Sequence, residues 1–563
     1  MRNKLITVLM LLSLPASAQM PAFLNSNDVD SALPQPNLPA DSYRPEIPQA
    51  NISLPRQQKL PLASRINLQG VQIEGGTVYE FDEIAQLFSS LIKRTVTLKD
   101  ILAVTEQITS RYQADGYALS YAFLPQQDLS SGEIKVVLVE GYISQHEMLG
   151  EVGRVKKRIL AMAQPLLRER PLKRETFERY TSLMSQIPGI TLVANVAPPE
   201  TTDGAVTLVT EARRRPFDAT ANLVKDKGDD LQVIATGISN SQTSLGEQIA
   251  VTTLLPPGKD RERYFRLDYS QYVSNEGTRL QAYASGYRSD PEQLYRFGIA
   301  ETELSRRNDR ASIGLMHPFK ISGKEIITGS ARLYAVDDVR EFTRLTPLPI
   351  AKKAIEQKSK VRVLALEGDW RQAENKQMRL LSAGLYQGLN ALGAKSELRV
   401  LGKEIKDGRP EVNFTRLRVS GMQSNRFADA WQGVASGAVY WSEDTLPESE
   451  QVIFGDRNFG RGYPDDQAYG DKGWGVGYEL NYSFKLDGDW LRLVQPYAAV
   501  DAARAWYNLG GATSRLSSVA MGMRLADQKY YNLGLELSRP LGDKAFDSRN
   551  RNMRYGVTLS YKL

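Results

Sequence analysis

The strictest constraint on this chain is a period-2 alternation of side chains that runs through its second half. Trp474, Val476, Tyr478, Leu480, Tyr482 and Phe484 fall on one face of an extended strand, with Gly475, Gly477, Glu479, Asn481, Ser483 and Lys485 on the other. Successive strand residues point to opposite faces, so an apolar surface is backed by a polar or small one. The last segment does the same, with Tyr555, Val557, Leu559, Tyr561 and Leu563 set against Gly556, Thr558, Ser560 and Lys562. Phe265, Leu267 and Tyr269 likewise alternate with Arg266, Asp268 and Ser270. A soluble sandwich with one wet face also fits alternation, but three features favour a membrane barrel. The patterned segments are long enough for a tilted crossing of ~9–11 residues. All six tryptophans (Trp370, Trp431, Trp441, Trp474, Trp490, Trp506) lie in this half, several near strand ends, as an interfacial girdle requires. No later segment is apolar enough for a spanning helix, and in lipid only a closed barrel otherwise satisfies the backbone.

The N-terminal part reads differently. Arg2 and Lys4, an apolar run from Leu5 to Leu14, and then Ala16-Ser17-Ala18 predict a secretory signal peptide over 1–18. Residues 19–64 carry eight prolines and few aromatics; such a stretch buries no core and is expected to be a linker, with one or two helical turns at most near 22–32. From Ile66 a β-α-α-β-β order follows, with Thr97 as the cap of its second helix and the final strand alternating as Ile134, Val136 and Leu138. The order repeats from Tyr142, so two modules are predicted, over 65–141 and 142–213. Residues 214–563 form the barrel.

Sixteen strands are expected there. The run 294–304 would make seventeen, but single-chain bacterial barrels have even counts, so it is assigned to an extended hairpin loop. A short helix is expected near 351–357. Connections after odd strands then face outward. The longest glycine-rich one, 444–471, contains Phe459-Gly460-Arg461-Gly462-Tyr463-Pro464, whose two glycines suit a positive φ and close backbone approach. Folding inward, it would obstruct the aqueous lumen of a barrel this size.

Catalytic chemistry is not indicated. There is no cysteine, and the two histidines, His146 and His317, stand far apart in sequence. Zinc-protease, nucleophile-elbow and phosphate-loop motifs are missing, so the chain is expected to be no enzyme and to need no cofactor or metal. The acidic pair Glu367 and Asp369 sits at the spacing of a wet barrel wall. Formal charge is +6 with both signs interspersed, which gives no face for nucleic acid.

Signal peptide, Pro-rich linker, two β-α-α-β-β units and a sixteen-stranded barrel together resemble the outer-membrane transporters of two-partner secretion, in the BamA/TpsB superfamily. The periplasmic modules of that family are POTRA domains. Its sixth-loop signature, Val-Arg-Gly-Tyr/Phe, is matched by Gly460-Arg461-Gly462-Tyr463, with Gly460 in place of the usual valine. The resemblance implies that Arg461 reaches an aspartate of a Phe-x-Asp pattern on the inner wall. Ala499-Val500-Asp501 occupies that place, keeping the aspartate and losing the aromatic. Alternation points Asp501 into the lumen, where a partly hydrated pair would be worth ~1 kcal/mol. Two further departures stand out: Gln19–Gln35 is short and weakly patterned for a pore-plugging helix, and the chain ends in Leu563 rather than an aromatic.

The implied function is export of an unfolded partner protein across the outer membrane of a Gram-negative bacterium. Capture would use module edge strands in the periplasm, candidate residues being Tyr117, Phe123, Ile190 and Val193. Outer-membrane lipids, the barrel-assembly machinery and the secreted client are the expected partners, and the chain is expected to act as a monomer. A BamA-type insertase and a passive diffusion porin are the rival readings; the first shares the loop motif and the second has no use for the modules.

Overall fold

A helix start fixed by four atoms anchors the first module. Thr97 stands in extended backbone ahead of α2 (Leu98–Ala114); its hydroxyl accepts from the Asp100 N–H, and the Asp100 carboxylate accepts from the Thr97 N–H at 2.8 Å. This capping box satisfies two helix-terminal donors, as the sequence predicts. Helix α1 (Phe81–Phe88) and α2 lay Ile84, Phe88, Ile101, Ile108 and Tyr112 over a three-stranded sheet. In that sheet Glu133–Val139 is central, parallel to Gly70–Glu74 and antiparallel to Tyr121–Phe123. The run 66–73 is thus divided: Arg65–Leu68 pairs instead with Arg94–Thr97, and Gly70 begins the second strand. Tyr117 to Ser120 precede the Tyr121–Phe123 strand as a turn in which the Tyr117 carbonyl accepts the Ser120 N–H at 3.1 Å.

The computed structural model describes residues 50–52, 63–225, 231–255, 261–291, 294–297, 300–345, 352–406, 409–456, 459–510 and 513–562. The expected signal peptide, nearly all of the linker and Leu563 lie outside the described residues.

In the second module, Tyr142–Leu149 runs parallel to Ala205–Arg214, which pairs antiparallel with Ile190–Val196. Helices α3 (Lys156–Arg168) and α4 (Arg174–Ser185) cover it with Ile159, Met162, Leu166, Phe177, Leu183 and Met184 buried. A fourth strand joins this sheet: Ala50–Ile52 lies parallel to Ala194–Val196. At the joint between modules, the Glu140 carboxylate accepts from the Thr77 N–H and hydroxyl, both at 2.7 Å, from the Val78 N–H at 2.9 Å and from the Tyr112 hydroxyl at 3.0 Å.

The second unit is a closed antiparallel barrel. Its sixteen principal strands are β1 (Phe217–Lys225), β2 (Leu231–Asn240), β3 (Gln248–Leu255), β4 (Arg263–Tyr272), β5 (Arg279–Ser289), β6 (Ala300–Ile321), β7 (Glu325–Arg344) and β8 (Lys353–Ala373), followed by β9 (Gln377–Gly388), β10 (Thr415–Arg426), β11 (Trp431–Trp441), β12 (Lys472–Tyr482), β13 (Leu493–Trp506), β14 (Ser514–Ala526), β15 (Tyr531–Pro540) and β16 (Arg554–Lys562). β1 closes on β16, with Leu223 opposite Leu559. Apolar side chains point outward at every second position, as at Trp474, Val476 and Tyr478 of β12, all exposed, while Glu479 and Asn481 are buried inside.

β6, β7 and β8 have 22, 20 and 21 residues, about twice a membrane crossing. The expected hairpin extension is there: Leu294–Phe297 pairs with the first residues of β6. The helix expected at 351–357 is not, because Ile355, Glu356 and Gln357 pair in register with Phe342, Glu341 and Arg340. A cross-strand partner at each position overrides the weak helical preference of that run. Lys395–Val400 pairs with the same part of β8 from its other side, so much of the connection after β9 is sheet as well.

Candidate functional site: a loop held at two poles inside the barrel

The connection between β11 and β12 turns into the lumen rather than away from it. At its root Asp471, almost wholly buried, accepts the main-chain N–H of Leu446 at 2.8 Å and of Asn508 at 2.9 Å. The Asn508 amide donates to the carbonyls of Ser442 and Asp444. From there the chain makes a single turn at Glu448–Glu450 and a hairpin of Val452–Phe454 with Ala468–Gly470. Asp456 bridges back to Gly460 at the tip.

The loop has an apolar core of its own. Val452, Phe454, Phe459, Tyr463 and Ala468 pack on Ala438, Tyr440, Ala503, Ala505 and Leu516 of the inner wall. Small residues on β12 and β13 make the room. A Cβ at Gly475 would stand 2.4 Å from the Phe459 ring. Tyr463 has no exposed surface, and its hydroxyl donates to the Asp543 carbonyl at 3.0 Å.

Arg461 projects from this core. Its Nη1 donates to Glu536 Oε2 on β15 at 2.8 Å and its Nη2 to Glu479 Oε2 on β12 at 2.7 Å. Arg524 of β14 holds the other side of Glu479 at 2.9 Å, and Tyr497 of β13 donates to Glu536 at 2.8 Å. Asp501, expected to face the guanidinium, is on the inner wall as alternation predicts. It accepts from the Arg461 main-chain N–H at 3.2 Å, with Ser518 donating to its other oxygen at 2.6 Å. Asp501 thus stands against Arg461, where Glu479 and Glu536 join it as wall carboxylates on the terminal nitrogens. An aromatic stands on this face after all. Tyr497 lies under both cations, with Arg524 Cζ 4.1 Å and Arg461 Cζ 5.7 Å from its ring centre.

The flanking glycines act by size rather than by φ. Among the described residues neither Gly460 nor Gly462 has a positive φ; Asp456 and Phe459 do, at 37° and 58°. A Cβ on Gly462 would meet Pro540 N at 2.5 Å and Arg539 C at 2.6 Å, so Gly462 is the point where the loop backbone touches β15.

A second pole has the opposite polarity. Glu450, 1% exposed, accepts from the Tyr334 hydroxyl of β7 at 2.8 Å and pairs with Arg416 of β10 at 3.2 Å. Arg416 also donates to the Glu450 carbonyl at 3.0 Å. Glu448 is ion-paired with Arg340 of β7. Here the loop brings the acids and the wall the bases; at the tip the loop brings the base and the wall the acids. None of these root residues was singled out from sequence. A usable signal existed in their phase, since Glu479 shares the small-residue face of β12 and Arg416 and Arg418 share one face of β10.

The edge candidates are placed more loosely. Phe123 is on an edge strand of the first sheet, whereas Tyr117 sits in the preceding turn, its ring 6.2 Å from that of Tyr112. Ile190 is buried with its N–H on the Ile187 carbonyl; Ile190 and Val193 belong to the strand whose last three residues pair with Ala50–Ile52.

Residues 66–141 match the family described as POTRA domain, ShlB-type, and residues 350–525 match the haemolysin secretion/activation protein family ShlB/FhaC/HecB. The second match contains the loop, Arg416, Glu479, Asp501 and Arg524, while Tyr334, Arg340 and Glu536 lie outside it. Both matches are to families of two-partner secretion transporters. Like them it is a protein of the outer membrane, with its modules in the periplasm. Among relatives of this transporter, the heme/hemopexin transporter protein HuxB of Haemophilus influenzae (strain 86-028NP) is 19% identical, over 84% of this chain and 82% of its own. The outer membrane transporter CdiB of Escherichia coli is 21% identical, over 75% and 72%. The solved structure of CdiB from Escherichia coli superposes with TM-score 0.66 at 17% identity, covering 91% of this chain and 93% of that one. CdiB from Acinetobacter baumannii gives 0.58 at 13%, over 91% and 93%. These likenesses speak for the fold.

Proposed function

We propose that this transporter exports one secreted partner protein, captured unfolded in the periplasm and passed through the barrel when the Arg461 loop leaves its wall. The observation that carries this reading is the two-pole attachment of the loop within the lumen, which a passive pore does not need. Charge-assisted hydrogen bonds at both poles and a shared apolar core hold the loop as a closed gate at rest.

Capture is assigned to the module edges, where an extended client adds main-chain hydrogen bonds with little demand on its sequence. The modules are taken as 65–141 and 142–213, and Arg461, Asp501, Glu479 and Glu536 as the gate residues. Transport runs without cofactor or catalysis, with the chain acting as a monomer that the barrel-assembly machinery inserts. Both relatives are described as transporters, in keeping with export rather than barrel insertion. Deleting this chain should leave its partner protein in the periplasm, and restoring it should return the partner to the medium. A partner that still reaches the medium at the same rate without this chain overturns the reading.

A further inference from the structure

On one side of the second module's sheet, part of this chain already sits at the edge. Its strands order as Tyr142–Leu149, Ala205–Arg214, Ile190–Val196 and Ala50–Ile52, so the three-residue segment covers the strand that would otherwise end the sheet. The register is parallel, with Ala50 opposite Ala194, Asn51 opposite Asn195 and Ile52 opposite Val196. Only the last three of that strand's seven residues are covered.

Three physical features make this occupant weak. It is short. Parallel pairing is slightly less stable per residue than antiparallel. Pro48 and Pro55 bracket it in sequence, and a proline has no N–H to give to a ladder, so the pairing cannot run on past either. A polypeptide pairing with all of Ile190–Val196 would form more main-chain hydrogen bonds, and in antiparallel register better ones.

We propose that Ala50–Ile52 is a placeholder strand, which closes the Ile190–Val196 edge in the resting transporter and is displaced when an extended segment adds there. That the displacing segment belongs to the secreted partner rests on the function proposed above; the occupancy itself does not. An unpaired edge is a template for unwanted strand addition, and a short, displaceable cover protects it while leaving it available.

The chain has no cysteine, so a single engineered pair reports cleanly. In the full-length protein, Asn51→Cys with Asn195→Cys should oxidise to an intramolecular disulfide, and Asn51→Cys with Thr191→Cys should do so at least tenfold more slowly. An excess of a synthetic peptide copying Ile47–Leu54 should slow the first reaction at least threefold, while a scrambled peptide should not. No disulfide, or a rate indifferent to the peptide, overturns the placeholder. This arm needs no partner protein, so it stands or falls separately from the export reading. In cells, the oxidised pair should reduce partner secretion at least tenfold, with recovery on reduction. Undiminished secretion by the locked chain would show that the edge need not open, and would overturn the proposal on that side.

Discussion

The Arg461 guanidinium and the Glu536 carboxylate, one on a loop and the other 75 residues later on β15, meet at 2.8 Å with Glu536 only 3% exposed. That burial changes what the pair can do. The carboxylate is dry while the guanidinium keeps about a fifth of its surface open, so the pair holds the loop from its wall side. Removing one partner leaves charge stranded in a low-dielectric site. Arg461→Ala should therefore destabilise the docked loop by about 3 kcal/mol, the lower end for a buried pair, because Arg524 still reaches Glu479 and Tyr497 still reaches Glu536. Partner secretion should fall while the barrel remains inserted and heat-modifiable on gels. Equal secretion at equal barrel abundance would remove Arg461 from the gate.

The root pole predicts a second loss. Glu450→Gln keeps the shape of the side chain but removes the charge facing Arg416. The loop should undock from that side, raising single-channel conductance and sensitivity to large antibiotics. Because one apolar core joins root hairpin and tip, the poles act on a single body. Combining Glu450→Gln with Arg461→Ala should then open the channel by clearly more than the sum of the two single effects, since either remaining pole still holds the whole body. Additive effects would mean that the poles hold separate segments.

Packing at Gly462 offers a test that alters no charge. A methyl group there meets backbone atoms of Arg539 and Pro540 closer than 3 Å, and backbone cannot turn aside as a side chain can. Gly462→Ala should lift the tip away from β15 and open Arg461 to trypsin in intact outer membranes. An alanine variant as resistant as the parent would show that β15 yields.

Most of the architecture was legible because it rests on local periodicity. Trp474 to Lys485 declares its two faces in a dozen residues, and Thr97 with Asp100 declares a helix start in four. The loop's destination was legible only through its motif, and its partners only in part. Asp501 is found by phase on a single strand. Glu479 and Glu536 become special only when β12 and β15 are brought around the same tip, which is a property of barrel closure. Nor does any local pattern report that Phe459, Tyr463 and Leu516 will pack into one apolar core beside the tip. Residues 351–357 failed because long-range pairing with Arg340 to Phe342 outweighs local preference.

The joint between modules makes the last prediction, and its sign follows from Glu140. Burial raises the pKa of this carboxyl, but the hydrogen bonds from Thr77, Val78 and Tyr112 favour the ionised form, and the net direction is downward. A carboxyl whose folded pKa is depressed adds stability above its unfolded value of about 4.3, and that contribution is lost as pH falls through the folded value. The first module should thus hold its stability from neutral pH down to about 5 and lose it progressively below about 4.3. Glu140→Gln should lower stability at pH 7 and flatten the acid dependence, since the amide accepts fewer of these bonds and does not titrate. Hydrogen exchange of Thr77, Val78 and the Glu133–Val139 strand in the full-length protein, followed from pH 7 to 4 with exchange rates corrected for pH, measures both effects. Identical acid dependence in parent and variant would show that Glu140 does not couple this joint to pH.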